Sequence, residues 1–295
     1  MKYSKYISIL VIVITALSIL ACIWGMITNS GEKMNEYNFK SIRGETIKIS
    51  GSGLYQYESI DQRLSLKVHD PITLFLAIPL LIMSLILALK RSIRGRLLLT
   101  GTLGYFLYTY MSYAFLRMYN ELFLVYTILM SASFLALILC MLSFDIEKFC
   151  SYIKPKMPIK FIGGYQLLLA AGLMTTWLPG IIDSLVSGKP PIDLDHYSSL
   201  GYEAIDLGFI VPVLIISAIL VFKRKSFGYL LSSVIITLSI SMNLLISILT
   251  VFQVLDGMEM PLLLMVMFPI FTVITGICLV MLLRNIQEPS HSSRI

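Results

Sequence analysis

The charges of this chain fall between long apolar blocks instead of through them, and that spacing decides what the chain can fold into. Blocks with almost no charge cover residues 7–27, 71–89, 97–115, 122–144, 161–182, 207–222, 227–255 and 261–283. About 20 apolar residues in a helix cross a hydrocarbon core about 30 Å thick, so each block is close to the length of one membrane-spanning helix. Composition agrees: 57% of the 295 residues are hydrophobic and 14% are charged, against about 25% charged in a soluble domain. A soluble globular fold is excluded. The fold class expected is an all-α membrane protein with eight transmembrane helices.

Orientation follows from Lys and Arg. One set of connections carries 15 of the 23 basic residues, in clusters such as Lys90-Arg91 with Arg94 and Arg96, Lys154 to Lys160, and Lys223-Arg224-Lys225, and only the acids Asp145, Glu147 and Glu288. The positive-inside rule places that side in the cytoplasm, with both termini, in a multi-pass cell-membrane protein. The net charge of +6 is scattered in short clusters at helix ends, which suits anionic lipid and not nucleic acid; membrane lipids are the expected partners. Residues 1–21 resemble a signal sequence with a basic start, but the apolar run continues past Cys22, so the first helix reads as an uncleaved signal anchor. Cys22, Cys140 and Cys278 fall inside predicted spans and Cys150 on the cytoplasmic side, so neither an extracellular disulfide nor a paired-thiol metal site is expected.

The chain matches itself at an offset of 133 residues. Between 79–98 and 212–231, eleven of twenty positions are identical, among them Pro79 with Pro212, Ser84 with Ser217, Lys90-Arg91 with Lys223-Arg224, and Gly95 with Gly228. These segments are the second and sixth predicted helices, four spans apart, so they run in the same direction. Two parallel four-helix repeats are therefore expected. Residues 1–144 form the first, including an extracellular β-rich loop at 28–70. Residues 145–160 form a cytoplasmic linker, 161–283 the second repeat, and 284–295 a cytoplasmic tail. Pro79 and Pro212 should kink their helices at equivalent depths.

In the outer loop, 45–50 alternates apolar and polar residues ahead of Gly51-Ser52-Gly53 and Leu54 to Tyr57, which predicts a β-hairpin; 63–68 offers a third strand. The second outer segment, 183–206, contains Pro190-Pro191 and reads as an irregular loop with at most one short helix.

The predicted spans hold no ionisable side chain, which weighs against proton coupling, ion pumping or voltage sensing. Hydroxyl and amide groups instead gather on helices three and seven: Tyr105, Tyr108, Tyr110 and Tyr113 on one, Ser239, Asn243 and Ser247 on the other. A polar cleft between those helices is the candidate ligand site, and ordinary interhelical hydrogen bonding is the structural alternative. Arg117 and Glu121 flank the outer turn after helix three, where they suit either an ion pair or a lipid phosphate. A metal would have to be held by His69 and Asp70 together with Asp193, Asp195 and His196, in a spacing that matches no strong motif. There is no nucleophile elbow, phosphate loop, HExxH or CxxC, so neither a cofactor nor catalysis is expected.

Arg94 to Leu99, Gly104-Tyr105, Leu107-Tyr108, Tyr110, Tyr113 and Asn120 to Tyr126 together resemble a pattern in uncharacterised prokaryotic multi-pass integral membrane proteins. The resemblance covers helices two to four and implies topology alone. The function expected is binding or moving a hydrophobic or amphiphilic small molecule. The alternatives are a scaffold or partner subunit of a membrane complex, and an outer-surface lipid-modifying enzyme.

Overall fold

The computed structural model describes residues 1–29, 35–191, 194–255, 257 and 262–288. It is mostly helical, with one small antiparallel sheet. The helices are α1 (Ser4–Asn29), α2 (Ile60–Ile72), α3 (Ile78–Leu89), α4 (Ile93–Phe115), α5 (Phe123–Leu142), α6 (Ile146–Phe149), α7 (Ile159–Ser187), α8 (Gly201–Ile205), α9 (Val211–Phe222), α10 (Ser226–Leu255) and α11 (Leu262–Arg284). π-helical turns, Thr73–Ala77 and Asp206–Ile210, join α2 to α3 and α8 to α9 as continuous rods. Among the described residues, seven helical rods are long and apolar enough to cross a membrane: α1, α2–α3, α5, α7, α8–α9, α10 and α11.

The third predicted span forms as α4, 23 residues long, but it is not one of those seven. Its sequence explains the difference, because Arg94, Arg96, three Gly, three Thr and four Tyr dilute its hydropathy. Packed by α3, α5 and α10, it buries residues on every side, from Gly101 and Thr102 to Phe106 and Tyr110. A helix enclosed by other helices meets little lipid and has no need of an apolar circumference.

Three sequence expectations fail. The 63–68 segment is helical: its alternation imitates a strand, but Leu64, Val68 and Ile72 are buried at i, i+4, i+8, and the longer period prevails. The hairpin exists with a different partner, since β2 (Thr46–Gly51) pairs antiparallel with β1 (Asn35–Lys40) in the register Lys40 opposite Thr46. Leu54 and Tyr55 are buried in succession in a 3₁₀ turn, Gly53–Tyr55, which no alternating strand allows. Finally, because the second rod begins at Ile60 and the fifth at Gly201, His69, Asp70 and Asp206 lie within spanning helices and are buried. The charge-free interior expected from the sequence is corrected accordingly.

The buried apolar residues form two main clusters. One joins α1, α2–α3, α4 and α5, and the other joins α7, α9, α10 and α11 with Ile93 and Leu97 of α4. The α4–α10 contact links them; a Cβ on Gly101 would stand 2.3 Å from that of Thr237, so these backbones pack directly against each other. On one face the basic connections gather with the chain ends. The two strand-like segments at Ile153 and Ile286 pair, Lys154 Nζ donates to the Arg284 carbonyl at 2.9 Å, and Arg91 and Arg96 lower the pKa of the N-terminal amine, after burial. The hairpin lies at the other face, where Arg43 donates to the carbonyl of Tyr197 at 3.2 Å.

The prolines sit in matching places. Pro79 and Pro212 each follow a five-residue π turn at the start of α3 and α9. The wider turn accommodates the carbonyl that a proline leaves without its donor. Arg91 and Arg224 both adopt positive φ, 63° and 54°, and a Cβ on Gly95 or Gly228 would lie 2.5 Å from that of Leu87 or 2.6 Å from that of Leu220.

Candidate functional site

Helix α4 turns its tyrosines to three different sides. Tyr105, Thr109 and Tyr113, at i, i+4, i+8, face the α2–α3 rod. Tyr105 shares a 2.8 Å hydrogen bond with Thr73, Thr109 lies 3.2 Å from Nε2 of His69, and the Tyr113 hydroxyl donates to Oδ1 of Asp70 at 2.8 Å. Tyr108 reaches the other half of the molecule, donating to Oδ1 of Asp206 at 3.0 Å, while Trp177 Nε1 donates to Oδ2 at 3.0 Å. Tyr110 stacks on Tyr126 of α5, ring centroids 6.3 Å apart.

Asp70 is 3% exposed and held from two sides, because Tyr55 donates to Oδ2 at 2.7 Å. Gly25 of α1 makes this approach possible: a Cβ there would stand 2.3 Å from Oδ2 and 2.5 Å from the Tyr55 hydroxyl. Two neutral donors replace the water a carboxylate would otherwise keep. Counting from Leu89, Asp70 lies about 28 Å along the rod at 1.5 Å per residue, so it sits at the hairpin-side edge of the apolar layer, not at its middle.

The predicted cleft residues therefore do not converge. Asn243 donates to Thr275 Oγ1 at 3.1 Å and Ser247 lies 3.2 Å from Thr272, both on α11. Ser239 is buried on the same helix as Asn243. Between α4 and α10 stand Gly101 and Gly104, pressed against Thr237 and Val234.

Nor do the metal candidates gather. His69 and Asp70 are engaged as above, and His196 lies 2.9 Å from the Tyr57 carbonyl, its ring tilted against that of Tyr197 with centroids 4.5 Å apart. Asp195 sits at positive φ, 47°, and Asp193 lies outside the described residues. Among the described residues no three His, Cys, Asp or Glu side chains are placed to share an ion.

Arg117 and Glu121 do not pair with each other. Glu121 accepts from Trp24 Nε1 of α1 at 2.8 Å. Arg117 bonds Gln62, through its carbonyl and side-chain oxygens, and reaches Ser65 Oγ at 3.4 Å; its guanidinium lies 5.8 Å from the ring of Tyr113 and 5.4 Å from that of Tyr202. Its Nε is buried and has no acceptor among the described residues, where no carboxylate stands within ion-pair range of it either. Glu58, 1% exposed, spends its oxygens on the Met118 N–H and on Tyr197. Burial opposes the charge of Arg117, but the field of Tyr202, Glu58, Tyr113 and Tyr197 outweighs it and holds the pKa above the ordinary arginine value. The same carboxylate, after burial, pushes the Tyr197 phenol upward.

Two cavities open at this end. The first, about 130 Å³, is lined by Tyr113, Arg117, Asn120, Phe123 and Tyr126, among others. The second, about 510 Å³, is lined by Thr28, Gln56, Tyr57, Tyr119, Asn120 and Glu121 among others, so the two share a wall at Tyr119-Asn120. Sequence reasoning named Arg117 and Glu121 but missed Glu58, Tyr55, Tyr126 and Asp206. The helical period through Leu64 and Val68 is the signal that would have carried His69 and Asp70 into the second helix; nothing local marks Glu58.

No family model, curated protein or solved structure matches this chain.

Proposed function

We propose that this is a multi-pass cell-membrane protein that binds an amphiphile by an anionic, phosphate-like head group in the cavity beside Arg117. The observation that carries the reading is the half-buried guanidinium of Arg117, its Nε buried without an acceptor and its side chain lining that cavity without a carboxylate partner among the described residues. The Nε donor has no acceptor among the described residues, and an anionic head group would supply one through a charge-assisted hydrogen bond. Phe123 and Ala114 line the same cavity and offer an apolar exit for the tail, while Tyr113, fixed by Asp70, gives the site a rigid floor.

The reading takes eight spans, counting α4, whose N-terminus meets the tail residue Glu288 and whose far end leads to Arg117 near Gln62. The positive-inside rule then puts the hairpin and Arg117 outside, both termini in the cytoplasm, and the head group at the outer leaflet. Two parallel four-helix repeats are part of it. The π turns, the positive-φ arginines and the close-packed glycines recur at the 133-residue offset, which supports duplication beyond apolar composition.

Native mass spectrometry of the protein taken from its membrane directly into lipid nanodiscs tests the proposal. A phosphate-bearing amphiphile should be retained and lost with Arg117→Gln. Bulk lipid alone, equal in both proteins, would overturn it.

One observation favours a partner subunit as the second reading. Helix α7 is the least covered of the seven apolar rods, with 6% of the residues in its most apolar stretch buried, and a Cβ added at Gly164, Gly172 or Gly180 along it would meet no atom within 4 Å. Glycines left open in a membrane helix admit close approach of another helix. A stoichiometric protein partner in the same spectra would support this reading.

A further inference from the structure

Arg117 and Glu121 are four residues apart and of opposite charge, yet each faces its own cavity and neither pairs with the other. Resting on the reading above, we infer that the amphiphile is a phospholipid whose head group is a zwitterion, a phosphate followed by an ammonium, bound across the shared wall of the two cavities.

The positive subsite is the half-buried guanidinium of Arg117. Beside it, Asn120 uses its side-chain oxygen to accept the Leu122 N–H at 3.0 Å, which leaves the amide NH₂ for a phosphate oxygen. The negative subsite is Glu121. One oxygen takes the Trp24 indole N–H, and no cation pairs with its carboxylate among the described residues. Two exposed tyrosines line the same cavity, Tyr119 at 76% and Tyr57 at 48%. Aromatic faces beside a carboxylate are what recognise an ammonium group, through ring electrostatics and the ion pair together.

Charge order fits the membrane. The smaller cavity reaches Tyr113 and Tyr126, deep among the helices, and Phe123, so the phosphate lies nearer the acyl chains. The larger reaches Thr28 at the end of α1 and the turn at Gly53, so the amine lies farther out. A phospholipid carries its groups in that sequence. A purely anionic head group would satisfy Arg117 and leave Glu121 facing a like charge; a bare amine would do the reverse.

The test uses the full chain, stripped of lipid in detergent and titrated in native mass spectrometry with phosphatidylethanolamine, phosphatidylglycerol or soluble phosphoethanolamine. Phosphatidylethanolamine should bind about three- to fivefold more tightly than phosphatidylglycerol, the worth of an exposed ion pair. Glu121→Gln should erase that preference while phosphatidylglycerol binding persists, and Arg117→Gln should weaken both lipids at least about tenfold. Arg117 also ties α4 to α2, so Ala114→Phe, which fills the smaller cavity, serves as an independent block. Tyr119→Ala, at an exposed position, should lower the preference without loss of fold.

If both lipids depend on Arg117 and Ala114 but bind equally, with Glu121→Gln unchanged, the zwitterion is wrong and the anionic site stands. If neither lipid responds to Arg117→Gln or Ala114→Phe, both readings fall. If soluble phosphoethanolamine binds as tightly as the lipid, the phospholipid assignment is overturned.

Discussion

At the scale of single residues, this protein keeps polar chemistry inside an apolar chain by tight local contact. Asp70 is tolerated because Tyr55 and Tyr113 donate to its two oxygens and because Gly25 lets α1 come close. Tyr113→Phe should therefore destabilise the protein by about 1–3 kcal/mol, since it strips one donor from a buried carboxylate; thermal unfolding in detergent measures it. Glycine substitutions give a sharper contrast. Gly25→Ala thrusts a methyl to 2.3 Å from the Asp70 carboxylate and should cost about 1–3 kcal/mol in displaced contacts. At Gly172, a Cβ meets nothing within 4 Å, so Gly172→Ala should be neutral or gain up to about 1 kcal/mol of helix propensity. Equal effects at the two sites would contradict the close approach of α1 to Asp70.

At the scale of elements, the C-terminal tail closes on α4. Glu288 accepts from Ser92 Oγ at 2.7 Å, the Ile93 N–H at 2.8 Å and the Arg94 N–H at 3.1 Å, capping the helix with a charge of the favourable sign. Burial alone would raise its pKa, but these bonds together, with the field of Arg94, hold it below the ordinary glutamate value. A carboxylate whose folded pKa is depressed contributes stability above its unfolded pKa and loses it as pH falls through the folded value. Glu288→Gln should thus cost about 1 kcal/mol near neutral pH, and the gap from the parent protein should close below about pH 4; unfolding midpoints across pH check both. Most spans were legible in the sequence, because charge-free blocks and basic clusters are long-range signals. The start of the second helix was not: 63–68 alternates like a strand, and Leu64, Val68 and Ile72 declare a helix only when read together with the apolar run beyond Pro71. The candidate site was half legible for the same reason. Arg117 and Glu121 stood out by charge, but their spacing suggested a pair, and the partners that separate them, Gln62 and Trp24, come from distant segments.

At the scale of the whole molecule, the orientation turns on α4, among the described residues the one long helix whose hydropathy alone does not mark it as a span. If α4 crosses, the turn at Tyr119 lies on the side of the hairpin and the loop at Cys150 on the basic side, since α5 crosses once more between them. If it lies along one surface, α5 starts from the basic side and carries Cys150 to the side of the hairpin. Thiol labelling separates these arrangements, because Cys150 is exposed while Cys22, Cys140 and Cys278 are buried. An impermeant maleimide should modify Cys150 only in permeabilised cells, and Tyr119→Cys in a Cys150→Ser background should react in intact ones. The expected pattern follows from charge: residues 90–96, 148–160 and 223–225 concentrate Lys and Arg on the side of Cys150, and moving them outward would oppose the positive-inside bias. Labelling of Cys150 from outside would place Arg117 in the inner leaflet, moving the proposed phospholipid site to the cytoplasmic half of the membrane with its residues unchanged.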